Sequence, residues 1–239
     1  MSRSLHVSRR DLGRTLAFGA SAIWVPGVFA DMLTETAGLT EGPFYPDRLP
    51  RDTDNDLLFL NDSITPAVGE VTHLSGRVLR ASGAPVRNAF VEIWQVDANA
   101  VYLHSGSGNA ENRDSHFQGY GRFLTDSKGR YYFRTIKPVP YPGRTPHIHI
   151  AVSLNGQRKF TSQILIEGHP QNEKDGVLRS VRDAQSRATV MAAFNPLQDS
   201  QIGELEANFD VVLGVTASED DAGQLQGTIG APQWKRRRR

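Results

Sequence analysis

Two of the chain's seven histidines, His147 and His149, occupy alternate positions in the apolar run HIHIAV. Successive side chains of an extended strand alternate between faces, so both imidazoles point one way while Ile148 and Ile150 point the other. Along a strand they lie roughly 7 Å apart, close enough to converge on one ion if their rotamers tilt inward. Satisfied core histidines or surface histidines also explain such a pair, and two nitrogens do not complete a site. The chain has no cysteine, which excludes disulfides, thiolate metal sites and thiol nucleophiles together. Any further ligands must be carboxylates or phenolates. Just upstream, PVPYPGRTP sets Tyr141 and Arg144 in a loop stiffened by prolines.

The elements that must position these groups read as short strands. Leu74 to Leu79 and Ala89 to Val96 alternate in polarity and are separated by the turn signal ASGAPVRN. GRFLTDSKGRYYFRTIKP has the pattern of a hairpin around Asp126 to Gly129. HIHIAVSLNGQRKFTSQILIEG gives two more strands about Asn155-Gly156, a strong hairpin signal. ATVMAAF suits a strand or a short helix, and LEANFDVVLG a closing strand. Many short strands with regular turn punctuation predict an all-β fold, an antiparallel β-sandwich over about residues 71–230. Residues 31–70, rich in Pro, Asp and Asn, predict an irregular N-terminal arm that wraps the domain or a neighbouring subunit.

With 239 residues and a formal net charge of +1, the chain is long enough for a sizeable core and carries no strongly basic face that would mark a nucleic-acid partner. The basic end, residues 231–239, reads as a solvated tail. At the other end, Arg9 and Arg10 precede a moderate apolar stretch that closes on Val28-Phe29-Ala30. The order resembles a twin-arginine (Tat) export signal over residues 1–30 and implies a periplasmic or extracellular destination. The apolar stretch is short and broken by Pro26, so no stable membrane span is expected.

Three stretches, EIWQVDANAVYLH, GRFLTDSKGRYYFRTIKPVPYPGRTPHIHI and FTSQILIEGHP, together resemble the intradiol ring-cleavage dioxygenases, closest to the iron-bearing (beta) chain of protocatechuate 3,4-dioxygenase. LTEGPFYP is similar to that family's lead-in segment, so the resemblance spans about residues 39–170. It implies a β-sandwich, in agreement with the strand pattern, and a non-haem Fe(III) held by two tyrosines and two histidines. Position by position these fall on Tyr102, Tyr141, His147 and His149. A ferric ion favours the deprotonated phenol, whose ordinary pKa is about 10, so phenolate is a workable ligand at neutral pH. The resemblance also places Arg144 where negative charge builds on the substrate ring, and Gln163 behind the ligands. It implies that a catechol chelates the ion through both oxygens, that Tyr141 yields its place and takes up a substrate proton, and that dioxygen is inserted between the two hydroxyl-bearing carbons. The product is a cis,cis-muconate-type diacid, and the partners are an aromatic diol and dioxygen.

The loop between Tyr141 and the histidines is shorter than in the familiar two-chain protocatechuate enzymes, which leaves the accepted ring substituent open. Tyr120, Tyr131 and Tyr132 are the rival tyrosines; the last two read as hairpin packing, and Tyr45 as an arm residue able to line a pocket. His104 is placed to share the face of Tyr102, His116 to sit at a pocket rim, and His169 to lie on a surface loop. A noncatalytic prealbumin-like sandwich module is the alternative from another class, and it leaves the Tyr–Tyr–His–His quartet without a purpose. A zinc or copper site would use the histidines and leave the tyrosines unexplained. Relatives that assemble through their arms suggest a homodimer, by analogy.

Overall fold

The computed structural model describes residues 32–61, 63–214, 218–219 and 225–226, so the signal-like segment and the basic tail lie outside the described residues. The chain runs through β1 (Val71–Arg80), β2 (Phe90–Trp94), β3 (Tyr120–Leu124), β4 (Arg130–Ile136) and β5 (His147–Leu154). It continues through β6 (Gln157–Ile166), a short helix α1 (Ala184–Ala188), β7 (Met191–Ala192), β8 (Phe194–Pro196), β9 (Leu205–Asn208) and β10 (Val211–Leu213). ATVMAAF therefore supplies a strand. No helix among the described residues is long and apolar enough to cross a membrane.

Two five-stranded sheets pack face to face. One has the order β3-β2-β5-β6-β7; in the other β4 takes one edge of β1, β9 and β10 share the opposite edge, and β8 lies outside β9. Leu74, Val78 and Phe133 from the second sheet meet Val91, Ile93, Ile148, Ile150 and Ile164 from the first, all fully buried. Each such side chain contributes about 1.5–3 kcal/mol by leaving water, and together they fix which face of β5 turns inward.

The pairing is mostly antiparallel, with β1–β9, β1–β10 and β6–β7 parallel. The expected closing strand is interrupted at Phe209-Asp210, and both of its halves lie along β1. Gly76 makes this possible: a Cβ there would stand 1.9 Å from the Phe209 carbonyl oxygen, which also accepts the Tyr131 hydroxyl. The expected β3–β4 hairpin is corrected. The Asp126–Gly129 turn forms, with Asp126 Oδ1 accepting the N–H of Lys128 and Arg130, but it carries the chain from one sheet to the other. The strand edges are taken elsewhere: β4 pairs with β1 over seven residues and β3 with β2 over five. The β5–β6 hairpin is as predicted, with Asn155 (φ 49°) and Gly156 (φ 73°) both left-handed, as a type I′ turn demands.

An antiparallel strand with one wet face alternates buried and exposed residues. In β5 the first six residues are all buried, because its outer face is also roofed. The roof is the arm. Residues 32–61 form no long strand, but their backbone hydrogen-bonds across both sheets: Leu39 N–H donates to Thr161 O, Thr36 N–H to Val212 O and Leu57 N–H to Arg134 O. Leu39, Leu57 and Leu58 are its buried anchors. The arm thus wraps its own domain and creates a second, smaller apolar layer around Trp94, Tyr102, Tyr120 and Ala151.

Candidate metal centre

The histidines reach this outer layer through strand register. Trp94, His149 and Gln163 form one cross-strand row over β2, β5 and β6. The Trp94 indole lies flat on His149, with ring centroids 4.8 Å apart and planes 5° apart, which fixes the imidazole's tilt. His147, two residues earlier, meets it edge to face at 4.8 Å. Tyr102 comes from the loop after β2, where Asp97 Oδ1 accepts the N–H of Asn99 and Val101, and Ser107 Oγ accepts the N–H of Tyr102. Tyr141 and Arg144 end one tight turn: Arg144 N–H donates to Tyr141 O at 2.9 Å, with Pro142 second and Gly143 (φ 81°) third. That is the type II pattern, and its need for φ > 0 at the third position explains the glycine.

Four donor atoms meet. Tyr102 Oη lies 3.0 Å from His149 Nε2, 3.2 Å from His147 Nε2 and 3.5 Å from Tyr141 Oη. His147 Nδ1 donates to Thr145 O at 2.7 Å, which leaves the lone pair of its Nε2 facing the cluster. The Nδ1 of His149 is buried without a partner. Burial, reinforced by the Arg144 charge, pushes His147 down to about 4; burial and the neighbouring His147 and Arg144 hold His149 well below its ordinary value. Both imidazoles are therefore neutral at pH 7, as ligation requires. Burial, then the charge and hydrogen bond of Tyr141, hold the Tyr102 phenol well above its usual range, partly offset by the Arg144 guanidinium.

These residues fit a hard trivalent ion. One hydroxyl proton on Tyr102 cannot serve two imidazole nitrogens and a second phenol oxygen at once, whereas a cation at their centre accepts from all four and reverses the phenol's preference for its proton. No group of three or more His, Asp or Glu side chains able to hold a metal occurs among the described residues, so a site made of histidine and carboxylate has no counterpart here. The arm closes the cluster from above. Phe44 stacks on Tyr102 at 4.9 Å, and the Gly42 backbone passes over His149.

Arg144 and Gln163 also come together. Arg144 Nη2 donates to Gln163 Oε1, and Gln163 Nε2 donates to Thr40 O of the arm at 2.8 Å. Arg144 Nε donates to Asp175 Oδ2 at 2.9 Å, and the same oxygen accepts the N–H of Thr145 at 2.9 Å. Thr145 thus anchors Asp175 through its N–H and sets the His147 tautomer through its carbonyl. Asp175, Thr145, Thr40, Phe44 and Trp94 escape a motif reading of the sequence, because only the fold brings them to the cluster.

The remaining expectations divide. His104 stands edge-on to Phe44 at 5.7 Å, one ring removed from Tyr102. His116 pairs with Asp114 at 3.4 Å. His169 lies in a loop, as expected, and is half-buried, with Nδ1 3.3 Å from Thr145 Oγ1, because that loop folds back over the segment preceding His147. Tyr131 is core packing, Tyr132 bonds His73, and Tyr120 and Tyr45 both donate to Glu92. None of these four is among the phenols bonded to the histidine pair.

The chain is similar to several known proteins. The protein-family model described as "Dioxygenase" matches residues 40–215. The protocatechuate 3,4-dioxygenase beta chain of Burkholderia cepacia is 35% identical over 154 residues, 61% of this chain and 65% of that protein. Hydroxyquinol 1,2-dioxygenase of Rhodococcus opacus is 28% identical over 195 residues, 72% of this chain and 61% of that one. The chain thus spans 61% to 65% of the length of these two relatives. Among solved structures, the dioxygenase domain of a dioxygenase carbohydrate-binding protein fusion from Streptomyces sp. SirexAA-E superposes with a TM-score of 0.57 at 26% identity, over 77% of this chain and 100% of that chain. Catechol 1,2-dioxygenase from Acinetobacter sp. ADP1 shares the fold, with a TM-score of 0.59 at 24% identity over 80% and 66%. The family match begins at the arm residue that holds Gln163 and runs past β10, taking in every side chain of the cluster: the chain belongs to the intradiol ring-cleavage dioxygenase family.

Proposed function

We propose that this protein is a non-haem Fe(III) dioxygenase that opens a catechol between its two hydroxyl-bearing carbons to a cis,cis-muconate-type diacid. The observation that carries the reading is the convergence of Tyr102, Tyr141, His147 and His149 on one point from two loops and one strand. Tyr102, His147 and His149, all buried, would hold the ferric ion permanently. The ion, when bound, polarises both catechol oxygens and makes ring electron density available to dioxygen.

The chain's own residues divide the rest of the work. Tyr141 is the half-exposed phenol, on a turn rather than in the core, and its oxygen is the place to take up a proton from the entering catechol. Arg144, held at Nε by Asp175 and at Nη2 by Gln163, keeps N–H groups free to stabilise negative charge developing on the substrate ring. Phe44 and Trp94 exclude water, which strengthens each of these interactions.

A protocatechuate-like ring is the finer reading, supported by the likeness to the protocatechuate 3,4-dioxygenase beta chain. The twin-arginine pattern of residues 1–30 supports export to the periplasm or beyond, and the arm supports a homodimer by analogy. The test is oxygen uptake by ferric-loaded protein over a panel of catechol, protocatechuate and hydroxyquinol. One dioxygen consumed per ring, with both labelled atoms in an acyclic diacid, is the expected result. No uptake with any member overturns the reading.

A further inference from the structure

The arm that roofs the metal centre is fastened unevenly. From Thr40 to Asp52 it makes no backbone-to-backbone hydrogen bond among the described residues. On either side the backbone is held: Leu39 N–H donates to Thr161 O on β6, and the carbonyls of Thr53 and Asp54 accept the Arg122 N–H of β3. A segment without such bonds opens at little free-energy cost unless side chains hold it. Here they do. Glu41 Oε2 accepts from Arg158 Nη1 at 2.6 Å, and the Tyr45 hydroxyl donates to Glu92 Oε1 at 2.8 Å. Farther along, Asp47 accepts the Ser105 hydroxyl.

The first two fastenings are joined. Glu92 Oε2 accepts from Arg158 Nη2 at 3.0 Å, the Tyr120 hydroxyl donates to Glu92 Oε1 at 2.6 Å, and the Arg158 guanidinium lies 5.1 Å over the Tyr45 ring. Glu92 stands two residues before Trp94 on β2, so it faces the same outer layer. Its side chain is only 12% exposed, which leaves the pair with Arg158 far less screened than a surface pair. Between Glu41 and Tyr45 lie the groups that cover the ligands: the Gly42 backbone over His149 and the Phe44 ring on Tyr102. Tyr45 itself sets its edge against Trp94, with centroids 5.0 Å apart, and Trp94 is the ring on which His149 rests.

We infer that Glu92 and Arg158 form a clasp that holds residues 41–45 down over Tyr102 and His149, and that release of this clasp sets how fast the metal centre is emptied. Glu92 and Arg158 touch neither ligand nor substrate, so they are positioning residues. The inference rests on the proposed function for the presence of the ion.

Two measurements test it. The first follows iron passing from ferric-loaded, full-length protein to excess EDTA, read as the ferric chelate rather than as activity. Glu92→Gln and Arg158→Gln should each lose iron about tenfold faster than the wild type, and the double variant no faster than either, because both break one clasp. Arg77→Gln breaks the Arg77–Asp210 pair on the other sheet and should leave the rate unchanged. The second uses metal-free protein and trypsin. Mass spectrometry should show cleavage after Arg48 or Arg51, both in the unbonded segment, quickening in the two clasp variants and not in Arg77→Gln. Wild-type rates in the clasp variants, an equal effect in Arg77→Gln, or additive effects in the double variant overturn the inference. Clasp-dependent cleavage in a protein that takes up no ferric ion would leave the clasp standing and overturn the proposed function instead.

Discussion

Asp175 and Arg144 form a buried ion pair, with the carboxylate fully enclosed and Nε 2.9 Å from Oδ2. Four N–H groups complete its surroundings: Thr145 and Arg144 on one oxygen, Val177 and Leu178 on the other. The pair ties the residue that would face the substrate to the peptide that orients His147. Removing one partner leaves the other charge buried and uncompensated, so Asp175→Ala should cost about 3–5 kcal/mol. Urea unfolding of the metal-free variant measures this, and a midpoint unchanged from the wild type contradicts it. Asp175→Asn, which keeps the shape and one acceptor oxygen, should fold and load iron yet lose kcat, because Arg144 is no longer held on both sides.

Burial raises the Asp175 pKa, but the N–H donors of Leu178 and Thr145 and the Arg144 guanidinium outweigh it, so the group titrates below its ordinary value. A carboxylate depressed on folding stabilises fully above its unfolded pKa and loses that contribution as pH falls through the folded one. The wild type should therefore lose stability in acid faster than Asp175→Asn. Parallel acid limbs in urea midpoints would show that Asp175 is not held this way.

The two imidazoles give a second, separate pH window. His147 is lowered from 6.5 to about 4, and His149 further below its ordinary value. Between about 6.5 and 4 the unfolded chain binds these protons and the folded one does not, so metal-free stability should fall as pH drops through that range. His147→Gln should flatten the slope. A wild-type midpoint constant from pH 7 to pH 5 would mean that the histidines are charged or exposed.

Two glycines separate conformational strain from steric conflict. At Gly42 a Cβ would meet only His149 Cε1, at 3.6 Å, but φ is 69°. Gly42→Ala should cost about 1–2 kcal/mol, the ordinary penalty for a left-handed L-residue. At Gly76 the new Cβ would strike the Phe209 carbonyl, and Gly76→Ala should cost more than about 4 kcal/mol or prevent folding. Equal melting temperatures for the two variants would contradict the packing of β1 against the β9–β10 junction.

The elements legible in the sequence are those fixed by local physics. Asn155-Gly156 announces its hairpin, the alternation of His147 to Val152 gives both faces of β5, and Pro142-Gly143 marks the turn that carries Tyr141 and Arg144. The β3–β4 turn is equally visible, but where its strands pair is decided by β1 and β2, which lie far upstream in the sequence. The same limit hid Asp175, which lies 31 residues from Arg144 in a loop without periodicity. Trp94 reads as an ordinary core aromatic until strand register sets it on His149. The parallel placement of β9 and β10 depends on a single close approach at Gly76, which no pattern of polarity records.

The visible spectrum of the iron-loaded protein, wild type beside Tyr102→Phe, bears most directly on the cluster. If phenolate oxygen from Tyr102 and Tyr141 reaches a ferric ion, the wild type will be burgundy, with a broad band that moves when catechol is added without oxygen, and Tyr102→Phe will lose much of that colour. A colourless loaded protein, or a Tyr102→Phe variant with full colour and full activity, would contradict it.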